Sequence, residues 1–414
     1  MSNANVIFRM MVNKYGLDNL GIQNVYTPVN KIEEATGIKF FDFINPETRS
    51  ISVLFNLEFI YTMLEEAVKN NYTDNIKFTY FYDSEADKNA LNFNGFDKYR
   101  FAKVNFEIEF VNISEFTEQN KDVKVIEKAM AGKHFDIVFS NPPYNKNIDL
   151  KILQTMFDYA DKIVFIHPAT FLLDKKFKTK IANTLRDSNY LEKAIFVWGN
   201  QMFDIWLFCP LTISVWNKKH NSNNVEVIDT AITNSSYTCD VNDISVHGKY
   251  FQKVKRFLNC KNNLQNNITD ENELTDYSVK FALIRGHANI KNNISGYNED
   301  FFTIAAIEDT LNKCDSTFRF GKHVNCKLHW AFQSETERNN FLNYCKTKIV
   351  RFLLSLVKTN AHLDSGELET IPWMDFSKNW NDKKLCKEFG IDKELWLYID
   401  KFIPDYYEDY ESGF

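Results

Sequence analysis

Residues 135–144 read FDIVFSNPPY, and the fold is decided by this stretch. Phe135–Ser140 is a short apolar run with one acid, the pattern of a buried strand. Asn141-Pro142-Pro143-Tyr144 follows at once, with two prolines that fix the backbone leaving the strand. Upstream, Ile38–Phe43 (IKFFDF) reads as a first strand, and Val53, Leu57, Ile60, Leu64 and Val68 then repeat at helical spacing. A second strand, Ile76–Tyr82, ends at Asp83. A short helix (Glu85–Leu91), a strand (Phe106–Val111) and a helix (Val123–Ala131) lead back to the starting stretch. Downstream come a strand at Lys162–His167, a helix at Lys175–Arg186 and a strand at Lys193–Val197. Trp206–Trp216 reads as hairpin or edge-strand material. Strands alternating with helices require crossover connections, so the expected fold is α/β, a doubly wound parallel sheet covered on both faces.

The composition narrows what such a fold can do. The chain has 414 residues, of which 44% are hydrophobic, enough for real cores and too long for one small module. Its seven cysteines, an odd number and none before Cys209, do not form a disulfide framework. No apolar run approaches the roughly 20 residues of a membrane helix, and no secretory signal is evident. A soluble, cytoplasmic protein is expected. The net charge of −6 averages unlike regions: acids gather in the first 120 residues and in the tail Asp405–Glu411. Basic residues outnumber acidic ones over Val246–Ser295 and Lys313–Lys358, where phosphate contacts would be made. Three regions are expected: 1–220 carrying the doubly wound domain, 221–335 of mixed periodicity, and 336–414 helical with an acidic tail. In the last, Glu335–Val357 and Lys393–Phe402 read as helices.

Asn141–Tyr144 stands at the carboxyl end of a strand, where α/β sheets place ligands. An exocyclic amine conjugated to a heteroaromatic ring is a poor nucleophile, because its lone pair is delocalised. The Asn141 side-chain carbonyl and the Pro142 main-chain carbonyl can accept its two N–H bonds and localise that pair for attack on a methyl sulfonium. Pro142 and Pro143 preorganise the acceptors, and Tyr144 offers a face for a flipped base. A rigid loop after a strand is the plainer reading of the same four letters.

Three stretches resemble the adenine-N6 DNA methyltransferases of restriction–modification type: FDIVFSNPPY, the block from Ile166 to Lys218, and the run from Phe341 to Ile391. The resemblance implies a Rossmann-like methyltransferase domain, S-adenosylmethionine as cofactor and double-stranded DNA as partner. It also implies a catalytic Asn141-Pro142-Pro143-Tyr144 and a target-recognition region within 221–335. Tyr26-Thr27-Pro28 is similar to the family's N-terminal cofactor segment. The family's cofactor loop follows the first strand as Asp-Pro-x-x-Gly-x-Gly; here the expected first strand ends at Asp42 and continues to Arg49 without a glycine. By the same resemblance Asp42, Asp83 and Asn112 are the cofactor-binding candidates, Asp83 for the ribose and Asn112 for the adenine. The ordinary role of a strand-end Asp or Asn is a turn or cap.

Two alternatives stay open: a relative that has lost the cofactor and binds DNA or protein, and an RNA or protein-glutamine N-methyltransferase. His323, Cys326 and His329 have a spacing that would put neighbouring ligands on opposite faces of a strand, so no metal is expected. Lys175, Lys176 and Lys178 could touch phosphates.

Overall fold

Short β-branched and aromatic runs buried on both faces build the central sheet of the first unit. The computed structural model describes residues 29–45, 47–83, 104–116, 122–144, 147–173, 179–198, 210–230, 235–245, 247–273, 275–285, 307–308, 323–356 and 365–403. Tyr26–Pro28, Glu85–Leu91, Lys175–Lys178 and the acidic tail lie outside these residues, as do the side chains of His323, Cys326 and His329. The chain divides into two units, Met1–Leu172 with Phe177–Ile244, and Ser245–Phe414 with Leu173–Lys176.

In the first unit β1 (Ser50–Leu54), β2 (Ile76–Tyr82), β3 (Phe106–Asn112), β4 (Phe135–Ser140) and β5 (Ala160–Pro168) are followed by β6 (Leu191–Trp198), β7 (Pro210–Asn217), β8 (Asn224–Asp229) and β9 (Ser235–Asp240). Their order in one nine-stranded sheet is β3-β2-β1-β4-β5-β7-β6-β8-β9. The first five strands are parallel; β7 runs antiparallel between β5 and β6, and β9 antiparallel to β8. The helices are α1 (Val29–Thr36), α2 (Glu58–Lys69), α3 (Val123–Met130), α4 (Ile148–Met156) and α5 (Lys180–Asp187). α1 and α2 share one core with Ile51, Val53, Phe78 and Phe139. This is the expected doubly wound α/β fold, with the chain leaving β1 towards β2 on one side and entering β4 on the other.

Two expectations need correction. Ile38–Phe43 is no strand: Phe40–Phe43 forms a 3₁₀ helix, and β1 is Ser50–Leu54. A strand buried on both faces has no periodicity of its own, so its apolar residues blended into those of α2. Of the two readings of Trp206–Trp216, the hairpin holds: β7 pairs antiparallel with β6, the strand before it, and inserts between β6 and β5. The first unit continues through β8 and β9 to Ile244, with β8 paired in parallel with β6, and Ser245–Phe414 falls in the second.

The second unit is α+β. A three-stranded antiparallel sheet orders β11 (Ile307–Glu308), β10 (Val279–Arg285) and β12 (His323–Trp330), and the helices α6 (Glu335–Lys346), α7 (Lys348–Ser355), α8 (Asp382–Glu388) and α9 (Lys393–Phe402) follow. Trp330, Phe341, Tyr344, Phe352, Phe376 and Ile399 belong to its core. The expected single helix Glu335–Val357 is two helices, the second correction. Thr347 ends the first by donating its hydroxyl to the Tyr344 carbonyl at 2.7 Å and caps the second by accepting from the Val350 amide at 3.3 Å.

Candidate active site

The site builds from the carboxyl ends of β1 and β4, which are adjacent and parallel with Leu54 level with Ser140. This is where the strand order reverses, and so where a doubly wound sheet opens a crevice. Ser140 donates its hydroxyl to the Leu54 carbonyl at 3.4 Å. One residue further on, the amide of Asn141 donates to Asn56 Oδ1 at 3.0 Å. Both asparagines are buried, 5% and 6% exposed, so this bond closes the floor of the crevice away from water. The Tyr144 hydroxyl donates to Asn141 Oδ1, and its ring packs on the edge of the first core. Asn141, Pro142, Pro143 and Tyr144 therefore leave β4 as one braced turn, with both Asn141 side-chain and Pro142 main-chain carbonyls in it.

The turn after β1 runs Leu54-Phe55-Asn56-Leu57 into Glu58, the first residue of α2. Phe55 has φ +71°, the left-handed region that a β-carbon makes costly and that glycine enters freely. Its amide donates to the Phe81 carbonyl at 3.2 Å, extending the β1–β2 ladder, and its ring lies 5.5 Å from that of Phe116 beyond β3. The aromatic pair thus spans the carboxyl end of β2. The chain makes a glycine-type turn with phenylalanine and holds it by burying the ring, which is 3% exposed.

The candidate cofactor residues separate. Asp83 follows β2 two residues after Phe81, at the same edge as Asn56 and Asn141. Asn112 ends β3 level with Tyr82, and its Oδ1 accepts the Ser114 amide at 2.7 Å, which is the turn role open to such a residue. Asp42 precedes β1 instead of following it. It is exposed on the 3₁₀ helix, where Phe41 packs on Tyr72 beyond the end of α2, Lys162 near the start of β5 lies over the Phe43 ring at 5.4 Å, and Phe40 packs on Phe59 and Phe139. The stretch Asn45–Arg49 accordingly precedes β1, and its lack of glycine says nothing about the loop after that strand. Phe55 and Asn56 are not legible in the sequence, where β1 merges with the helical repeat that follows it. The signal for the strand itself is the β-branched alternation of Ser50–Val53 just before the helical repeat. Among the described residues no group of three or more His, Cys, Asp or Glu side chains is placed to hold a metal. No helix there is long and apolar enough to cross a membrane.

No protein-family model matches the chain, and no curated protein does. Among solved structures it is similar to the M protein of the type I restriction enzyme EcoKI, at 12% identity and TM-score 0.34 over 49% of this chain and 48% of that one. It is similar to the type I restriction-modification methyltransferase subunit of Streptococcus thermophilus, at 13% identity and TM-score 0.34 over 56% of this chain and 52% of the other. A class I S-adenosylmethionine-dependent methyltransferase from Listeria monocytogenes matches at 12% identity and TM-score 0.31, over 48% of this chain and 62% of that one. The first two matches span about half of each relative's length.

Proposed function

We propose that this chain is an S-adenosylmethionine-dependent methyltransferase acting on N6 of a flipped adenine in duplex DNA. The observation that carries this reading is the placement of Asn141–Tyr144, braced by Asn56 at the point where the strand order reverses. S-adenosylmethionine would be held at its ribose end by Asp83, the residue after β2, whose carboxyl would accept from the two adjacent hydroxyls. At the other end the backbone turn at Phe55 has the left-handed form that a close-approach loop needs. When bound there, S-adenosylmethionine supplies an electrophilic methyl group on a sulfonium. The chain's own part is to hold the amine: the Asn141 side chain and the Pro142 carbonyl accept its two N–H bonds, and its lone pair is left pointing away from the ring plane. Transfer would form the N–C bond with the S–C bond electrons left on sulfur, and the amine proton, then acidic, would leave to water. Residues 246–295 and 313–358, where basic residues outnumber acidic ones, would supply the phosphate contacts.

A second reading, a relative that binds without methylating, is favoured by one observation, the Phe55 side chain where the loop after β1 would carry glycine. Calorimetry with S-adenosylmethionine separates the two. Binding is expected at micromolar to millimolar cofactor, and its absence would remove the enzyme reading. Methyl transfer is then measured on mixed-sequence duplex DNA, RNA and a glutamine peptide. Asn141→Ala is expected to lower the rate by roughly 10²–10³, as for loss of one preorganised hydrogen-bonding group in other transfers. An unaffected rate would sink the mechanism.

A further inference from the structure

Behind the crevice, on the sheet face opposite α2, lies a polar array that the proposed chemistry does not use. His167 is fully buried near the end of β5, level with Thr212 of β7 and two residues beyond the position that pairs with Ser140. Its Nε2 lies 2.7 Å from the hydroxyl of Ser214, which also accepts the Trp216 indole N–H at 2.8 Å. Its Nδ1 lies 3.4 Å from Asp149 Oδ2, close but too poorly aligned for a full hydrogen bond. Asp149 is 5% exposed and sits in the first turn of α4, the helix into which the Asn141–Tyr144 loop runs.

The donor inventory orders these contacts. Indole N–H only donates, so Ser214 accepts from Trp216. A bare Nδ1 lone pair facing an acceptor carboxylate would be repelled, so Nδ1 carries a proton. Both ends of α4 meet this array: Asp149 faces His167 at its start, and Phe157 at its end lies 5.7 Å from the Trp216 ring. The loop is thus held between two buried anchors, the Asn141–Asn56 bond at one end and Asp149 at the other.

We infer that His167 is a positioning residue, whose Nδ1–H attracts the Asp149 carboxylate across 3.4 Å and through α4 fixes the turn that presents Asn141. The effect on turnover rests on the methyltransferase reading; the effect on the Asn141 amide does not. Hydrogen exchange at that amide, resolved in protein labelled with ¹⁵N-asparagine, is expected to quicken by roughly tenfold or more in His167→Ala, through local opening of the loop. His167→Asn places an amide N–H where Nδ1–H stands and is expected to restore most of the protection. Thermal unfolding of both variants shows whether the fold is kept, and only folded variants are compared. In parallel, kcat for methyl transfer is expected to fall roughly tenfold to hundredfold in His167→Ala, with the cofactor KM unchanged and recovery in His167→Asn. Imidazole ¹⁵N shifts of the wild-type protein read the protonated nitrogen directly. A ring protonated only on Nε2, or an Asn141 amide that exchanges at the wild-type rate in folded His167→Ala, would overturn the inference. Quickened exchange in a protein that never transfers methyl supports the brace and removes the methyltransferase reading instead.

Discussion

Phe55 carries two opposed terms at a single residue. Its left-handed backbone costs on the order of 1 kcal/mol or more, while its ring is packed against Phe116 and shielded from water. Phe55→Gly relieves the first and loses the second. Deleting a buried phenylalanine side chain costs about 3–5 kcal/mol, so the net expectation is a loss of about 2–4 kcal/mol, measured by urea unfolding. A stability equal to wild type would show that the ring contributes little and that the turn is strained for no structural return. Tyr144 poses a different question. Its hydroxyl takes one of the two lone pairs of the Asn141 oxygen that the target amine would need, so a base entering the crevice competes with that bond. Tyr144→Phe keeps the stacking face and frees the acceptor, and a lower target KM is expected. Tyr144→Ala removes the face as well and raises that KM, as steady-state kinetics on one duplex would show.

Among the elements, β2, β4 and α9 were legible with their bounds, because each is short, strongly patterned and flanked by breakers or caps. β1 was not, and what identifies it is a partner 86 residues away. Asp136 Oδ2 on β4 accepts the amides of Arg49 and Ser50 at 2.7 and 2.8 Å and so fastens the start of β1 to β4. Asp136→Ala is expected to cost about 1.5 kcal/mol, the low end for bonds to a charged group because these are partly open to water. A chemical denaturation curve with an unchanged midpoint would refute it. The break between α6 and α7 is a case of the same kind: nothing in the apolar spacing interrupts Phe341 to Leu356, yet one threonine hydroxyl serves both helix ends. Thr347→Ala should cost about 1 kcal/mol and Thr347→Ser much less.

Across the molecule, pH acts through carboxyls whose surroundings pull in opposite directions. Hydrogen bonds from the Ser377 hydroxyl, the Lys378 ammonium and the Ser377 amide hold Asp375 down to about 2 from the ordinary 3.8. A lowered folded value means stability that is present above the unfolded value and lost as pH falls. Asp375 therefore contributes to acid lability between about 3.8 and about 2. Asp375→Asn should remove that component, and an NMR titration of the wild-type carboxyl should show a midpoint near the lower figure. Glu33 behaves oppositely. Burial raises it above 4.5, although it accepts the Phe40 amide and faces Lys39, so its share of stability is full below the ordinary value and lost as pH rises through the raised one. Glu33→Gln keeps an acceptor for Phe40 and should flatten the loss, read from unfolding free energies at a series of pH values above 4.5.

The sequence by itself determined that a buried strand ends in Asn-Pro-Pro-Tyr within an alternating α/β chain, because that information is local: hydrophobic runs, prolines and caps act within a few residues. Tertiary structure alone decided which apolar run is β1, that β7 lies inside the sheet, and that Asp42 precedes β1 while Asn56 after it touches Asn141. It alone brought Asp149, His167 and Ser214 together. Those choices rest on hydrogen bonds between residues far apart in the chain, and no periodicity encodes which strand a given strand will pair with.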